Sequence, residues 1–300
     1  MLYAKETKNL HFYYNNLYHD YIFNYAKIKN SFFYNYNDTG QFKKRTIDIL
    51  SYYNNKNRKD VSKVLKDSNL RYGCGPKTLA NIEKLKDGDT FVIIGGQQPG
   101  LFGGALYIIY KIISIIKLSI FCNKEMGIKT VPVFWNATDD SNFSAVNSVG
   151  LGPMGGSLPK ITIEPQQANL ASKGVRYSEL YIKKEYIYSK IKDLTGLLLK
   201  TEYTEEVERF MFDCLEMLPQ DVRLPDFFSF IITKIFSKYG LIILDPCLPE
   251  FKKMALDQAI FDIENHEEIK KGIIENSKLL SSKGYHNQLE LEEDAMNFYI

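Results

Sequence analysis

The chain has 300 residues, of which 45% are hydrophobic and 25% charged, an ordinary globular composition that excludes wholesale disorder. Lysine and arginine number 38 against 36 acids, a net charge of +2, so the charge balance gives no argument for nucleic acid or an anionic membrane as partner. The length allows one large domain or two ordinary ones.

Residues 1–88 read as a helical lead. Apolar and aromatic residues recur at helical spacing from Leu10 to Tyr34 and again from Ile47 to Tyr53. Arg71–Pro76 is a break, and Lys77–Leu85 predicts a further short helix. The first 30 residues hold no long apolar run behind a basic start, so no signal peptide is visible. The 21 tyrosines and 19 phenylalanines are scattered and lack a basic groove pattern, which argues against a base-stacking platform. Cys74, Cys122, Cys214 and Cys247 form no CxxC pair, so no zinc or thioredoxin-like motif is written. They are expected to be reduced thiols of a cytoplasmic protein.

The pattern changes at residues 89–148. Thr90–Ile94 is a short apolar run bounded by Asp87-Gly88-Asp89 and by glycines, and reads as a buried strand of a parallel sheet. The loop Gly95–Gly104 leads into a helix over Ala105–Cys122. Lys111 and Lys117 interrupt its apolar run, which reads as a buried helix and not as a membrane span. Thr130–Trp135 is a second buried strand, completing a βαβ unit. Residues 149–235 read as a largely helical insert, with one strand at Lys160–Ile163 and helices over Tyr177–Leu199, Glu205–Met217 and Pro225–Tyr239. Residues 236–300 return to the sheet through a third strand, Leu241–Leu244. Another helical region, Pro249–Leu280, precedes short strands at Gln288–Leu291 and Asn297–Ile300. The fold class is α/β, a Rossmann-like parallel sheet with a helical N-terminal lead and a helical insert.

The chemistry concentrates at the strand ends. In an open parallel sheet, ligands bind outside the carboxyl ends of the strands. The loop Gly95-Gly96-Gln97-Gln98-Pro99-Gly100-Leu101-Phe102-Gly103-Gly104 leaves the first strand there. Its glycines admit close backbone approach, and the following helix N-terminus favours an anion or carboxylate. The loop is neither a Walker A sequence nor GxGxxG. Gln97 and Gln98 both donate and accept, which suits hydroxyls, amides and carboxylates. The competing reading is that the glycines only allow tight helix–sheet packing. After Trp135 come Asn136-Ala137-Thr138-Asp139-Asp140-Ser141-Asn142-Phe143. Asp139 and Asp140 can bind an amine, a magnesium ion or a proton in transit, or cap a helical turn. Asp245 ends the third strand on the same edge.

These residues resemble a known family. Gly96–Gly104, with Leu106-Tyr107, Tyr110-Lys111 and Lys117-Leu118, is similar to the loop and helix of the bacillithiol biosynthesis cysteine-adding enzymes. Val131–Trp135 resembles that family's next strand, and Phe236, Tyr239-Gly240-Leu241 and Leu244-Asp245 a later one. Gly284-Tyr285, Gln288 and Asn297-Phe298 match beyond that, so the resemblance covers the chain from about Phe91 onward. It implies a nucleotidyltransferase-like core and a ligase joining cysteine to the amine of glucosaminyl-malate, a carbon–nitrogen bond. It also implies ATP or another activating nucleotide, and small-molecule partners with no nucleic acid or membrane.

On this reading Asp139 and Asp140 are the catalytic candidates. Gly96, Gln97, Gln98, Gly100, Phe102, Gly103, Gly104, Trp135, Asn142 and Asp245 are the substrate-binding candidates. Ser141 and Asn142 stand where the family writes a histidine and an acid, and Ala105 where it writes proline. The family pattern continues past Ile300 into a coiled coil. The expectation is therefore the front part of a longer enzyme, without a coiled-coil dimer. A member that holds the ligand without turnover is the second reading.

Overall fold

The computed structural model describes residues 16–53, 55–151, 159–168 and 175–287. In chain order the helices are α1 (Asn16–Phe23), α2 (Tyr25–Ile28), α3 (Gly40–Tyr52), α4 (Arg58–Arg71), α5 (Pro76–Lys84), α6 (Leu106–Glu125), α7 (Lys184–Leu197), α8 (Thr204–Glu216), α9 (Leu224–Phe236), α10 (Pro249–Met254), α11 (Leu256–Glu264) and α12 (His266–Ser282). The strands are β1 (Phe91–Gln97), β2 (Thr130–Asn136), β3 (Ser148–Gly150), β4 (Lys160–Thr162), β5 (Tyr181–Lys183), β6 (Asp221–Arg223) and β7 (Ile242–Leu244). The described residues form two compact units, one of residues 16–53 with 255–287 and the other of the described residues between 55 and 254.

The larger unit is built on a parallel sheet of order β1-β2-β7. β2 and β7 are apolar and buried on both faces, whereas β1 is covered on its α6 face and leaves Val92 and Ile94 exposed on the other. On one face Phe134 packs against Phe228 of α9, ring centroids 6.0 Å apart. Ile243 and the buried Ile108, Ile112 and Ile115 of α6 join the same core. On the other face Val131, Val133 and Ile242 are buried with Leu65 of α4 and Ile82 of α5. Among the described residues α6 is the one helix long and apolar enough to cross a membrane. Its buried stripe, which also includes Ile116 and Cys122, faces the core, as expected for the covering helix of a sheet.

The stretch read as one helical lead divides. Helices α4 and α5 belong to the sheet unit because polar side chains bind them to β7. Asn69 Nδ2 donates to Ile243 O at 2.8 Å, and Ile243 N donates back to Asn69 Oδ1 at 2.9 Å. This buried amide serves β7 as a neighbouring strand would. Thr78 Oγ1 donates to Leu241 O at 3.0 Å.

Helices α1–α3, α11 and α12 belong to the smaller unit. Its core is Leu17, Ile28 and Tyr285, flanked by Tyr21, Phe32 and Leu280. Tyr285 Oη donates to Asp20 Oδ2 at 2.8 Å, and Asn24 Nδ2 to Asp20 Oδ1 at 2.7 Å. Burial raises the Asp20 carboxyl, and these hydrogen bonds with Lys27 outweigh it, leaving a net lowering.

Three further differences from the sequence reading have local causes. β1 continues past Ile94 through both glycines to Gln97, because β2 offers a full-length partner. The segment read as helix from Tyr177 opens instead with a 3-10 turn over Tyr177–Glu179 and then β5, which pairs antiparallel with β6 and buries Ile182 and Val222. β3 pairs antiparallel with β4, the strand expected at Lys160–Ile163. The expected strands at 288–291 and 297–300 lie outside the described residues, as do residues 10–15 of the first expected helix.

Candidate active site

The strand ends converge. Gln97 and Asn136 are the last partners in the β1–β2 register, and Ala137 N donates to Gln97 O at 3.0 Å. Asp245 follows directly on β7. The carboxyl edge therefore carries Gln97, Gln98, the 136–142 segment and Asp245 together.

The glycines shape this edge by packing. A Cβ on Gly95 would lie 2.9 Å from Ile115 Cδ1, so Gly95 lets α6 sit close to β1. A Cβ on Gly96 would lie 2.7 Å from Trp135 O and 3.2 Å from Trp135 Cδ1, so Gly96 leaves room for the indole beside it. Trp135 remains 37% exposed beside Gly96. Beyond Pro99 the loop closes on itself. A Cβ on Gly100 would lie 2.5 Å from Gly104 Cα. Phe102, Gly103 and Gly104 take positive φ of 55°, 92° and 74° in succession. For a phenylalanine that conformation costs energy and persists only where packing enforces it. Here the Phe102 ring is buried edge-on against Phe227, centroids 6.2 Å apart. The loop interior is filled by its own backbone. The polar side chains of the edge lie around it.

Those side chains form a directional row. Lys111 Nζ, from the second turn of α6, donates to Gly96 O at 3.0 Å and to Gln97 Oε1 at 2.8 Å. Gln97 Nε2 donates to Gln98 Oε1. Gln98 Nε2 donates to Asp140 Oδ2 at 2.9 Å. An ammonium only donates and a carboxylate only accepts. The two ends therefore dictate which way each amide points. Asp140 Oδ1 also accepts the backbone N–H groups of Ser141 at 2.6 Å and Asn142 at 3.0 Å. Burial raises the Asp140 carboxyl, but these bonds outweigh it and hold the group below the usual carboxylate range. Asp140 is an ionised anchor with both oxygens engaged, a poor proton acceptor. Asp139 beside it is exposed, so its carboxylate is accessible to a ligand.

Asp245 is fully buried in a separate charged network. Thr138 Oγ1 and Cys247 N, the latter at 2.9 Å, donate to its Oδ1. Arg223 Nη2 donates to its Oδ2 at 2.8 Å. The same guanidinium donates to Asp226 Oδ1 at 2.6 Å and, through Nε, to Ser178 O at 2.8 Å. Burial disfavours the Arg223 charge, and the two carboxylates more than compensate, raising its pKa. Burial likewise raises the Asp226 carboxyl, against the pull of Arg223.

The structure thus brings Gly96, Gln97, Gln98, Trp135, Asp139, Asp140 and Asn142 to one edge. Gly100, Phe102, Gly103 and Asp245 are buried and Gly104 half-buried, so these candidates hold the edge from behind. Asn142 contributes its backbone N–H to Asp140, while its side-chain Oδ1 accepts from Ser144 Oγ at 2.7 Å. Lys111, Thr138 and Arg223 were not singled out as site residues. For Lys111 the signal was present, a cation interrupting an apolar helix directly after the loop. Asn136 is also fully buried. Its Nδ2 donates to Ser229 Oγ at 3.1 Å, and its Oδ1 has no partner among the described residues.

A parallel sheet of order β1-β2-β7 packed with helices, with a polar row at its carboxyl edge, defines a Rossmann-like α/β protein. The chain belongs to the BshC family. The sequence model of the bacillithiol biosynthesis BshC N-terminal Rossmann-like domain matches residues 4–300. Relatives bearing the name "Putative cysteine ligase BshC" are similar over most of the chain. The protein from Bacillus cereus strain G9842 is 32% identical over 243 residues, 81% of this chain and 44% of that relative. Those from Bacillus cytotoxicus and Geobacillus sp. WCH70 are 30% and 29% identical, covering 94% and 93% of this chain. The chain spans about half the length of these relatives, 50% for the latter two.

Proposed function

We propose that the chain carries the substrate-binding site of a cysteine ligase, which joins the carboxyl group of cysteine to the amine of glucosaminyl-malate. The observation that carries this reading is the Lys111–Gln97–Gln98–Asp140 row inside the loop that resembles the family signature. Gln97 and Gln98, with fixed amide polarity, orient the substrate. The exposed Asp139 receives the amine as its ammonium and holds it against the edge. Asp140 keeps Gln98 in place. Gly96 and Trp135 form the wall against which the substrate lies.

The side chains of Ser141 and Asn142 differ from the family pattern, yet the support they give Asp140 comes through backbone N–H groups. That support is indifferent to the side chain. Amide formation replaces a carboxyl oxygen by nitrogen, and ATP or another nucleotide supplies the activation that makes this oxygen a leaving group. In the Gly100–Gly104 turn Leu101 N and Gly104 N already donate to Val146 O and Leu101 O, which leaves no continuous run of free N–H groups for a phosphate cradle, so no step through a nucleotide is assigned to this chain's residues.

Incubation with cysteine, glucosaminyl-malate and ATP, followed by mass spectrometry, tests the reading. The expected product is the thiol amide, one water lighter than its two parts together. A folded protein that neither forms this product nor binds cysteine or glucosaminyl-malate by calorimetry overturns it.

A further inference from the structure

Lys111 stands out among the polar groups of the strand edge. It is half-buried, and its ammonium donates to two neutral oxygens, Gly96 O and Gln97 Oε1. Among the described residues no carboxylate lies within salt-bridge distance of it. The nearest negative charge on its path is Asp140, reached only through two amides. An ammonium has three N–H donors, so one remains after those bonds. The Tyr107 ring, its centroid 6.0 Å from Nζ, is a third neutral neighbour, so the half-buried ammonium has no anionic partner.

The row polarity adds to this. Each glutamine uses one amide N–H within the row and keeps the other, so Lys111 and Gln97 together offer donors and no unengaged negative group. The anionic end lies at Asp140, two side chains away, and would repel a second anion there.

We propose that Lys111, with the amide of Gln97, is a carboxylate-binding subsite, taking the carboxylate of a small amino or hydroxy acid. The ligase reading above guides only the choice of probes. Direct binding needs no turnover, so loss of one result leaves the other standing.

The experiment is isothermal titration calorimetry of the whole chain with L-cysteine, L-malate and cysteamine, the last lacking a carboxylate. L-cysteine or L-malate is expected to bind and cysteamine not to bind; which of the two binds more tightly identifies the source of the carboxylate. Lys111→Met is expected to weaken binding by about tenfold to a hundredfold, the worth of a charged hydrogen bond. Lys111→Arg should retain most of the affinity, and Lys117→Met, an exposed lysine of the same helix, all of it. Gln97→Glu guards against a folding failure. It gives Lys111 an internal counter-ion while removing the donor to Gln98 Oε1, so it should keep a cooperative thermal unfolding transition while abolishing carboxylate binding. Binding that is unchanged in both Lys111→Met and Gln97→Glu, or wild-type protein that takes up neither carboxylate, overturns the proposal.

Discussion

Gln98 Nε2 and Asp140 Oδ2 lie 2.9 Å apart, which ties the residue just past β1 to the segment just past β2. That bond joins two strand ends whose own ladder stops at Gln97 and Asn136. It makes the edge a continuous polar surface in place of two separate loops. It also gives Gln98 two tasks, supporting a carboxylate and presenting its remaining amide hydrogen outward.

Replacing Gln98 by Ala removes both. The variant should keep its fold, because Gln98 is half-buried and Asp140 retains two backbone donors. Ligand affinity should fall about tenfold, the worth of one hydrogen bond to a well-placed partner. Calorimetry with thermal melting checks both halves. Unchanged affinity with an intact fold removes Gln98 from the site.

Asp20 and Asp140 have carboxyl groups held below their ordinary range in the folded state. Each contributes stability that is complete above the unfolded carboxylate value of about 3.9 and is lost as pH falls through the lower folded value. Urea unfolding between about pH 2 and pH 7 should show this acid limb. Asp140→Asn should make the limb shallower, leaving the part due to Asp20. An identical slope in the variant contradicts the hydrogen-bonding account of Asp140.

Glycines give a contrast of sign. Gly100→Ala forces a methyl to within 2.5 Å of Gly104 Cα, a backbone atom. It should cost about 1–3 kcal/mol, as for other overpacked sites. Gly196, in α7, has nothing within 4 Å of its notional Cβ. Gly196 is the last residue but one of the helix, so Gly196→Ala should stabilise by at most about 0.5 kcal/mol through helix propensity. Equilibrium unfolding of the two variants checks the direction of each effect.

Asp245 is the sharpest structural test. Its removal leaves the mostly buried Arg223 with one carboxylate and strips Thr138 Oγ1 and Cys247 N of their acceptor. Asp245→Ala should cost about 3–5 kcal/mol, the usual loss on breaking a buried charge pair from one side. A variant as stable as the parent would show that Asp245 lies free at the edge, as a ligand-facing residue would.

What the sequence disclosed follows from length and continuity. β1, α6 and β2 are long enough for an unbroken apolar run or a helical stripe to show, and the glycine-rich loop between them marks the edge. β5 and β6 are not legible, because a three-residue strand buries a single residue such as Ile182 and displays no alternation. The place of α4 and α5 is hidden for another reason. It rests on Asn69 reaching Ile243, 174 residues further along the chain. Asp245 looks like a site residue by position alone. Only the approach of Arg223 and Thr138, distant in sequence, turns it inward. Gln97 and Gln98 were legible as chemistry, but their polarity depends on Lys111 at one end and Asp140 at the other.

The central claim is that substrate lies along the Gln97–Gln98–Asp140 row. A crystal structure of the protein soaked with cysteine and glucosaminyl-malate tests it most directly. Ligand density is expected at the carboxyl edge of β1 and β2, within hydrogen-bonding distance of Gln98 and bordered by Trp135. Density seated elsewhere on the chain, with this row empty, would contradict it.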